Sequence, residues 1–180
     1  MKFELPNTSY IVLGLLASGE ALSGYEIRKR AQNLKHFYWS PAQSQIYKEL
    51  RRLEQHALAS SAFVEQQGKP NKQLFQVTED GTAVFKQWLN HAELPPTVLK
   101  HPVLLKLYFA QFTEPDALIS LLNEFIQNSK EQLSQLYIVE EFLEMDPNSE
   151  LSSLVIEWSI HHQKSEIQIA QQLMQRLTQQ

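Results

Sequence analysis

Two periodicities alternate along the chain, and the switches between them predict its elements. From about Asn7 to Ala17 the apolar residues Ile11, Leu15 and Leu16 share one side of a helix that Asn7 or Thr8 can cap. Gly19 breaks that run. Ser23 caps a second helix, in which Tyr25, Ile27 and Ala31 alternate with Arg28, Lys29 and Arg30. A loop holding His36, Phe37, Tyr38 and Trp39 follows. A third helix then opens, with Ser40 as N-cap and Pro41 at its first position. Its apolar residues Ile46, Leu50, Leu53 and Leu58 recur at helical spacing. The period then drops to two. Ser61 to Gln66 alternates around Phe63, and Leu74 to Thr78 alternates through Phe75 and Val77. Gly68-Lys69-Pro70-Asn71-Lys72 turns the chain between them. Thr78, Glu79 and Asp80 open a fourth helix that ends near His91.

Helix, helix, helix, hairpin, helix is the order of a winged helix-turn-helix with a two-stranded wing. All five glycines (Gly14, Gly19, Gly24, Gly68, Gly81) fall in this half. Leu94-Pro95-Pro96 is the natural boundary, because Pro-Pro cannot lie inside a helix. The remainder reads as helices alone. Val98 to Gln111 is short, and Thr113-Glu114-Pro115 starts a long helix running to about Met145. Asp146-Pro147-Asn148 breaks it, and Asn148 or Ser149 caps a last helix to about Thr178. In the first long helix Leu118, Leu122, Phe125, Leu136, Val139 and Leu143 step by threes and fours, with polar Ser129 and Gln132 in mid-stripe. In the last, Leu151, Val155, Trp158, Ile169, Leu173 and Leu177 do likewise. A helix of about 30 residues is ~45 Å long and overruns a small core. Such stripes suit an antiparallel helical hairpin that pairs with a second copy. Leu118, Leu122, Phe125, Leu136, Val139, Leu143, Trp158, Ile169 and Leu173 are therefore the dimerisation candidates. The expected fold is mainly α: a winged helix over residues 1–92 and a helical, coiled-coil-like dimerisation domain over 93–180.

Charge changes this picture. The 180-residue chain has a net charge of −4, which alone argues against a nucleic-acid partner. The charge is uneven, however. Residues 1–92 carry 11 basic and 8 acidic side chains, a net of +3, whereas residues 93–180 carry 5 and 12, a net of −7. Only the first half suits phosphates. There is no cysteine, which excludes disulfides and thiolate metal sites. No apolar run approaches the ~18 residues of a membrane span, and no basic leader precedes the first helix. A cytoplasmic protein is expected.

The third helix carries the candidate chemistry. A recognition helix packs one face on its domain and presents polar side chains to the major groove from the other. Gln43, Ser44 and Gln45 lie in its first turns, and glutamine can bond adenine bidentately. Lys48, Arg51 and Arg52 follow, suited to phosphate or guanine, and the Tyr47 hydroxyl can reach a phosphate oxygen. The wing adds Lys69, Asn71 and Lys72. Ser23 and Tyr25 are supporting candidates at the start of the second helix. The bland alternative is a solvated charged face, and any one of Lys48, Arg51 and Arg52 could simply face water or pair with Glu49 or Glu54. The preceding helix-turn-helix and the basic hairpin weigh against the bland reading of the whole face.

At these residues the sequence resembles the PadR family of transcriptional regulators, particularly its virulence-activator-like branch. The matching segments are SGYEI (Ser23 to Ile27), FYWSPAQSQIYKELRRLEQHAL (Phe37 to Leu58), GKPNKQLFQVTEDG (Gly68 to Gly81), LNHAELP and HPVLLKLYFA (His101 to Ala110). The resemblance implies a homodimer held by its long C-terminal helices and bound to a near-palindromic double-stranded operator. Many members have proline at Lys48, glycine at Ala57 and arginine at Lys69. The last exchange keeps the charge but loses the bidentate fork. Ala57 lies where a helix-terminal glycine would take positive φ, so the third helix is expected to end differently.

Other chemistry finds little support. Adjacent His161 and His162 point to different helix faces, and no HExxH occurs, so no metal site is expected. Glu140, Glu141 and Glu144 read as a solvated patch. No nucleophile triad, P-loop or dinucleotide fingerprint is present, so neither catalysis nor a cofactor is expected. Trp158, in a dimer-forming helix, could stack on a small aromatic effector, although interface packing explains it more simply. The competing class is a winged-helix protein–protein interaction module without specific DNA binding.

Overall fold

The computed structural model describes residues 5–37, 39–65, 71–92, 96, 98–145 and 149–179, without the His36 and Phe37 side chains. Tyr38, Gly68, Lys69, Leu94-Pro95 and the Asp146-Pro147-Asn148 break lie outside the described residues. The chain divides into two compact units, Met1–Pro95 and Pro96–Gln180.

In the first unit, α1 (Asn7–Leu16) is capped by neither Asn7 nor Thr8. Pro6 holds the cap position with φ −66° and ψ 154°, and its carbonyl accepts from the Ser9 N–H at 2.8 Å. The proline ring fixes the entry angle, so Asn7 and Thr8 are already helical. The buried side is Ser9, Val12, Leu13 and Leu16. Ile11 and Leu15 flank it, half-buried. α2 (Gly24–Ala31) starts as expected at Ser23. The Ser23 hydroxyl accepts from the Glu26 N–H at 3.3 Å, and the Glu26 carboxylate accepts from the Ser23 N–H at 2.8 Å. That reciprocal box satisfies two donors left over by the first turn. A 3-10 segment, Gln32–Phe37, occupies part of the expected loop.

The third helix, α3 (Gln43–Gln55), begins later than the Ser40-Pro41 signal suggests. Ala42 is its N-cap, and the Gln45 side chain folds back so that Oε1 accepts from the Ala42 N–H at 3.0 Å. A glutamine at the third helical position thus meets a donor that Ser40 was expected to help satisfy. The far end also departs from expectation. Ala57 takes φ +55°, the left-handed conformation that glycine adopts without strain. The Ala57 N–H donates to the Glu54 carbonyl at 2.9 Å and the Leu58 N–H to the Leu53 carbonyl at 2.8 Å. Both bonds of a glycine-type helix terminus therefore form with alanine in place.

The sheet has three antiparallel strands in the order β1 (Leu22–Ser23), β3 (Lys72–Val77), β2 (Ala59–Val64). Leu22 pairs with Phe75, Ala59 with Val77, and Val64 with Lys72. The hairpin was expected; β1 was not, because two residues display no alternation. Thr78 then caps α4 (Glu79–Leu89), accepting from the Gly81 N–H at 3.0 Å while donating to the Ala57 carbonyl at 2.7 Å. Gly81 is obligatory here: a Cβ on it would lie 2.0 Å from the Leu58 carbonyl oxygen. Val12, Leu13, Leu16, Ile27, Ile46, Leu50, Leu53 and Phe75 pack into one core beneath the sheet and helices.

In the second unit, α5 (Pro102–Tyr108) is shorter than the Val98 to Gln111 reading. His101 starts it: Nδ1 accepts from the Leu104 N–H at 3.3 Å, while Nε2 lies 2.7 Å from Glu166 Oε2. A 3-10 turn, Ala110–Phe112, follows Phe109. α6 (Pro115–Glu144) and α7 (Glu150–Thr178) form an antiparallel hairpin, with Leu122 and Ile126 near the start of one packed with Ala170 near the end of the other. Ser149 precedes α7, but its hydroxyl donates to the Leu143 carbonyl at 2.5 Å and does not cap the helix.

The hairpin divides the dimerisation candidates. Leu118, Leu122 and Leu136 are buried within this one chain, and Phe125, Val139, Leu143 and Leu173 are half-buried. The α6 stripe is thus largely taken up by α7 of the same chain, because two antiparallel helices close together cover each other's apolar faces first. On α7 the covered face is Ile156, Ser159, Ile160, Gln163 and Ala170. The expected stripe of Leu151, Val155, Trp158 and Ile169 lies on the other side and is exposed.

Candidate nucleic-acid interface

The two helices that would present the site are keyed together at one point. A Cβ on Gly24, the first residue of α2, would lie 2.4 Å from Tyr47 Cε1 on α3. Glycine lets the tyrosine ring lie against the α2 backbone. Tyr47 is thereby half-buried, and its first role is to seat α3 on α2. The outward side of α3 then carries Gln43, Ser44, Gln45, Lys48 and Arg51, all exposed. A shallow concavity of about 450 Å³ runs along it, lined by Ser44, Lys48, Arg51, Arg52 and Gln55. Gln55 was not among the sequence candidates. Its signal was available: residues 44, 48, 51 and 55 follow helical steps down one face.

The cations on this surface differ in what holds them. Lys48 and Arg51 have no acidic partner within ion-pair distance among the described residues. Arg52 Nη1 lies 2.9 Å from Glu49 Oε2, and that carboxylate is buried and also receives the hydroxyl of buried Ser9. Lys72 Nζ lies 3.0 Å from Glu26 Oε1, which ties β3 to the start of α2. The Ser23 hydroxyl donates to Glu26 Oε2 at 2.7 Å, so its proton is committed within the capping box. These bonds, led by those from Ser23 and joined by the Lys72 ammonium, lower the Glu26 pKa from its ordinary 4.5 to about 2. Tyr25 projects into solvent, 66% exposed, and Asn71 is exposed just before β3. Lys69 lies outside the described residues.

Gln45 is half engaged. Its amide oxygen caps α3, leaving the NH₂ group to act outward. It can donate but cannot make a two-point donor–acceptor contact without releasing the cap. Gln43 carries no such commitment in any described hydrogen bond.

A helix seated on its predecessor, polar along its outer side and followed by a strand pair, defines the winged helix-turn-helix class, and this chain is one. It belongs to the PadR-like family of transcriptional regulators. Residues 12–87 match the "Transcriptional regulator PadR-like family" and residues 99–178 match "Virulence activator alpha C-term". The negative transcriptional regulator PadR of Bacillus subtilis (strain 168) is 33% identical over 128 residues, covering 71% of this chain and 69% of that protein. Among solved structures, Bacillus subtilis PadR in complex with operator DNA superposes with a TM-score of 0.83 at 24% identity, covering 96% of this chain and 99% of that one. The Vibrio cholerae virulence activator AphA gives 0.72 at 18% identity, covering 95% and 98%. The same Bacillus protein in complex with p-coumaric acid gives 0.76 at 23% identity, covering 96% and 99%. Among the described residues no helix is long and apolar enough to cross a membrane, and no cluster of metal-ligating side chains occurs.

Proposed function

We propose that this regulator binds double-stranded DNA by laying α3 in the major groove, as a homodimer on a near-palindromic operator. The observation that carries the reading is the exposed row of Gln43, Ser44, Lys48 and Arg51 on a helix whose opposite side, Ile46, Leu50 and Leu53, is fixed in the core. Glutamine and serine at the start of the helix suit base edges; lysine and arginine further along suit phosphates. Asn71 and Lys69 of the wing and Tyr25 of α2 are secondary contacts to the backbone. Arg52, Lys72 and Ser23 act mainly inside the protomer, holding the reading surface in shape. A gel shift on the DNA upstream of the protein's own gene tests this. Arg51→Ala should weaken every duplex alike, and Gln43→Ala should change sequence preference. Absence of binding to any duplex would favour the interaction-module reading.

The second copy is expected to sit on the apolar surface that the hairpin leaves uncovered. Ile138, Phe142 and Met145 at the end of α6 and Leu151, Leu154, Val155 and Trp158 at the start of α7 are all more than 40% exposed. An uncovered patch of this kind marks an association surface. Trp158 is also the candidate site for a flat aromatic effector. Its indole is 73% exposed in the protomer, and a structurally similar PadR was solved with p-coumaric acid. Titrating phenolic acids against tryptophan fluorescence and operator affinity tests this; a Trp158→Phe variant that keeps the full response removes the assignment.

A further inference from the structure

Glu49 is the only ionisable side chain buried among the described residues. It sits on α3 between the core side and the outer groove. A carboxylate there is costly unless its charge is answered. Two groups answer it: the hydroxyl of Ser9, fully buried in α1, and the Arg52 guanidinium at 2.9 Å. Of the three cations on α3, only Arg52 is matched in this way. Lys48 and Arg51 stand in solvent on the same groove.

That difference bears on how DNA would be read. A free cation that neutralises a phosphate releases counterions and strengthens binding to every sequence alike, adding about 0.9 to the salt dependence of log affinity. An arginine that already has a carboxylate partner contributes little of this. We propose that Glu49 is a specificity-determining residue: by holding Arg52 it keeps a third cation off the phosphates and limits sequence-independent affinity, leaving the glutamine and serine contacts to discriminate. The same pair, through Ser9, pins the recognition helix to α1. The inference rests on α3 being the DNA-reading helix.

Four variants test it, each assayed for thermal midpoint and for affinity against salt, on sheared bulk DNA and on the upstream segment. Arg51→Gln serves as reference and should lower the salt slope by about 1. Arg52→Gln should leave the slope unchanged and lower the midpoint, because Glu49 is left buried without its counter-charge. Glu49→Gln frees Arg52. It should raise the slope by about 1, strengthen bulk-DNA binding at ~50 mM relative to ~200 mM salt by roughly threefold, and narrow the preference for the upstream segment. The double variant Glu49→Gln/Arg52→Gln should return the slope to that of wild type, and it decides the matter if either single variant fails to fold. A loss of slope in Arg52→Gln equal to that in Arg51→Gln would falsify the proposal, as would a wild-type slope in Glu49→Gln or a lowered slope in the double variant. Wild-type protein that shifts no duplex would overturn the DNA-reading role of α3, and this inference with it.

Discussion

The two units bury their apolar residues to very different extents. Among the described residues the winged-helix unit buries thirteen hydrophobic side chains and exposes six large ones, whereas the helical unit buries eight and exposes sixteen. The first closes a core of its own around Leu13, Leu16, Ile46 and Leu53. The second packs α6 on α7 and, among the described residues, leaves large apolar side chains exposed at the adjoining ends of both helices and on α5. A sheet plus helices can surround a centre; two long helices enclose only the seam between them. The unit that would read DNA is therefore self-contained, and the one that would recruit a second copy is unfinished as a monomer.

The strongest way to break this contrast is to spoil the self-contained core. Gly81→Ala forces a methyl against the Leu58 carbonyl, where no flexible side chain can yield. It should cost at least ~3 kcal/mol in denaturant unfolding and abolish the gel shift. Next in size is the exposed tip. Phe142→Ala or Trp158→Ala should each weaken self-association by ~2 kcal/mol in sedimentation equilibrium. Helical content should be unchanged, since neither side chain is buried in the protomer. Unaltered association in both variants would place the interface elsewhere. Ala57→Gly should go the other way and stabilise the first unit by ~1 kcal/mol, because the terminus of α3 already has the backbone that glycine favours.

The smallest effect is the pH dependence of Glu26. Its folded pKa lies below its unfolded one, so its contribution is complete above about 4.5 and is lost as pH falls toward about 2. The side chain is 40% exposed, so solvent screening holds the gain below ~1 kcal/mol. Ser23→Ala should flatten this acid limb of the thermal midpoint more than Lys72→Gln does, since the Ser23 bonds are the larger cause.

Much of the winged helix was legible because its punctuation is chemical. Ser23 and Thr78 each cap a helix as their residue types suggest, and the shift from helical to alternating spacing locates the hairpin. The start of α3 is less legible, because Gln45 supplies the cap from inside the helix whereas the usual preference points to Ser40. β1 was invisible because its existence depends on a partner some fifty residues later, Leu74-Phe75. Within the candidate site, sequence identified the cations and offered Glu49 and Glu54 as partners for Lys48, Arg51 or Arg52, but it could not say that the pair formed would be Arg52 with Glu49. Nothing in the spacing of Arg52 says that Glu49 is buried, or that Ser9 on another helix completes the pair. The long-helix stripes had the right period, yet period alone cannot say which of two apolar sides a neighbouring helix of the same chain will cover.

The buried side of the hairpin contains Ser129, Ser159 and Gln163 among its aliphatic residues. A seam of leucine alone tolerates axial slip, since a shift of one turn replaces one aliphatic contact by another. A buried amide tolerates less, because a shift of one turn changes which side chains face its polar atoms. Polar residues in such a seam favour a single longitudinal setting at some cost in cohesion between the helices. The positions of Phe142 and Trp158 near the tip would then be fixed by a polar stop lower down the hairpin.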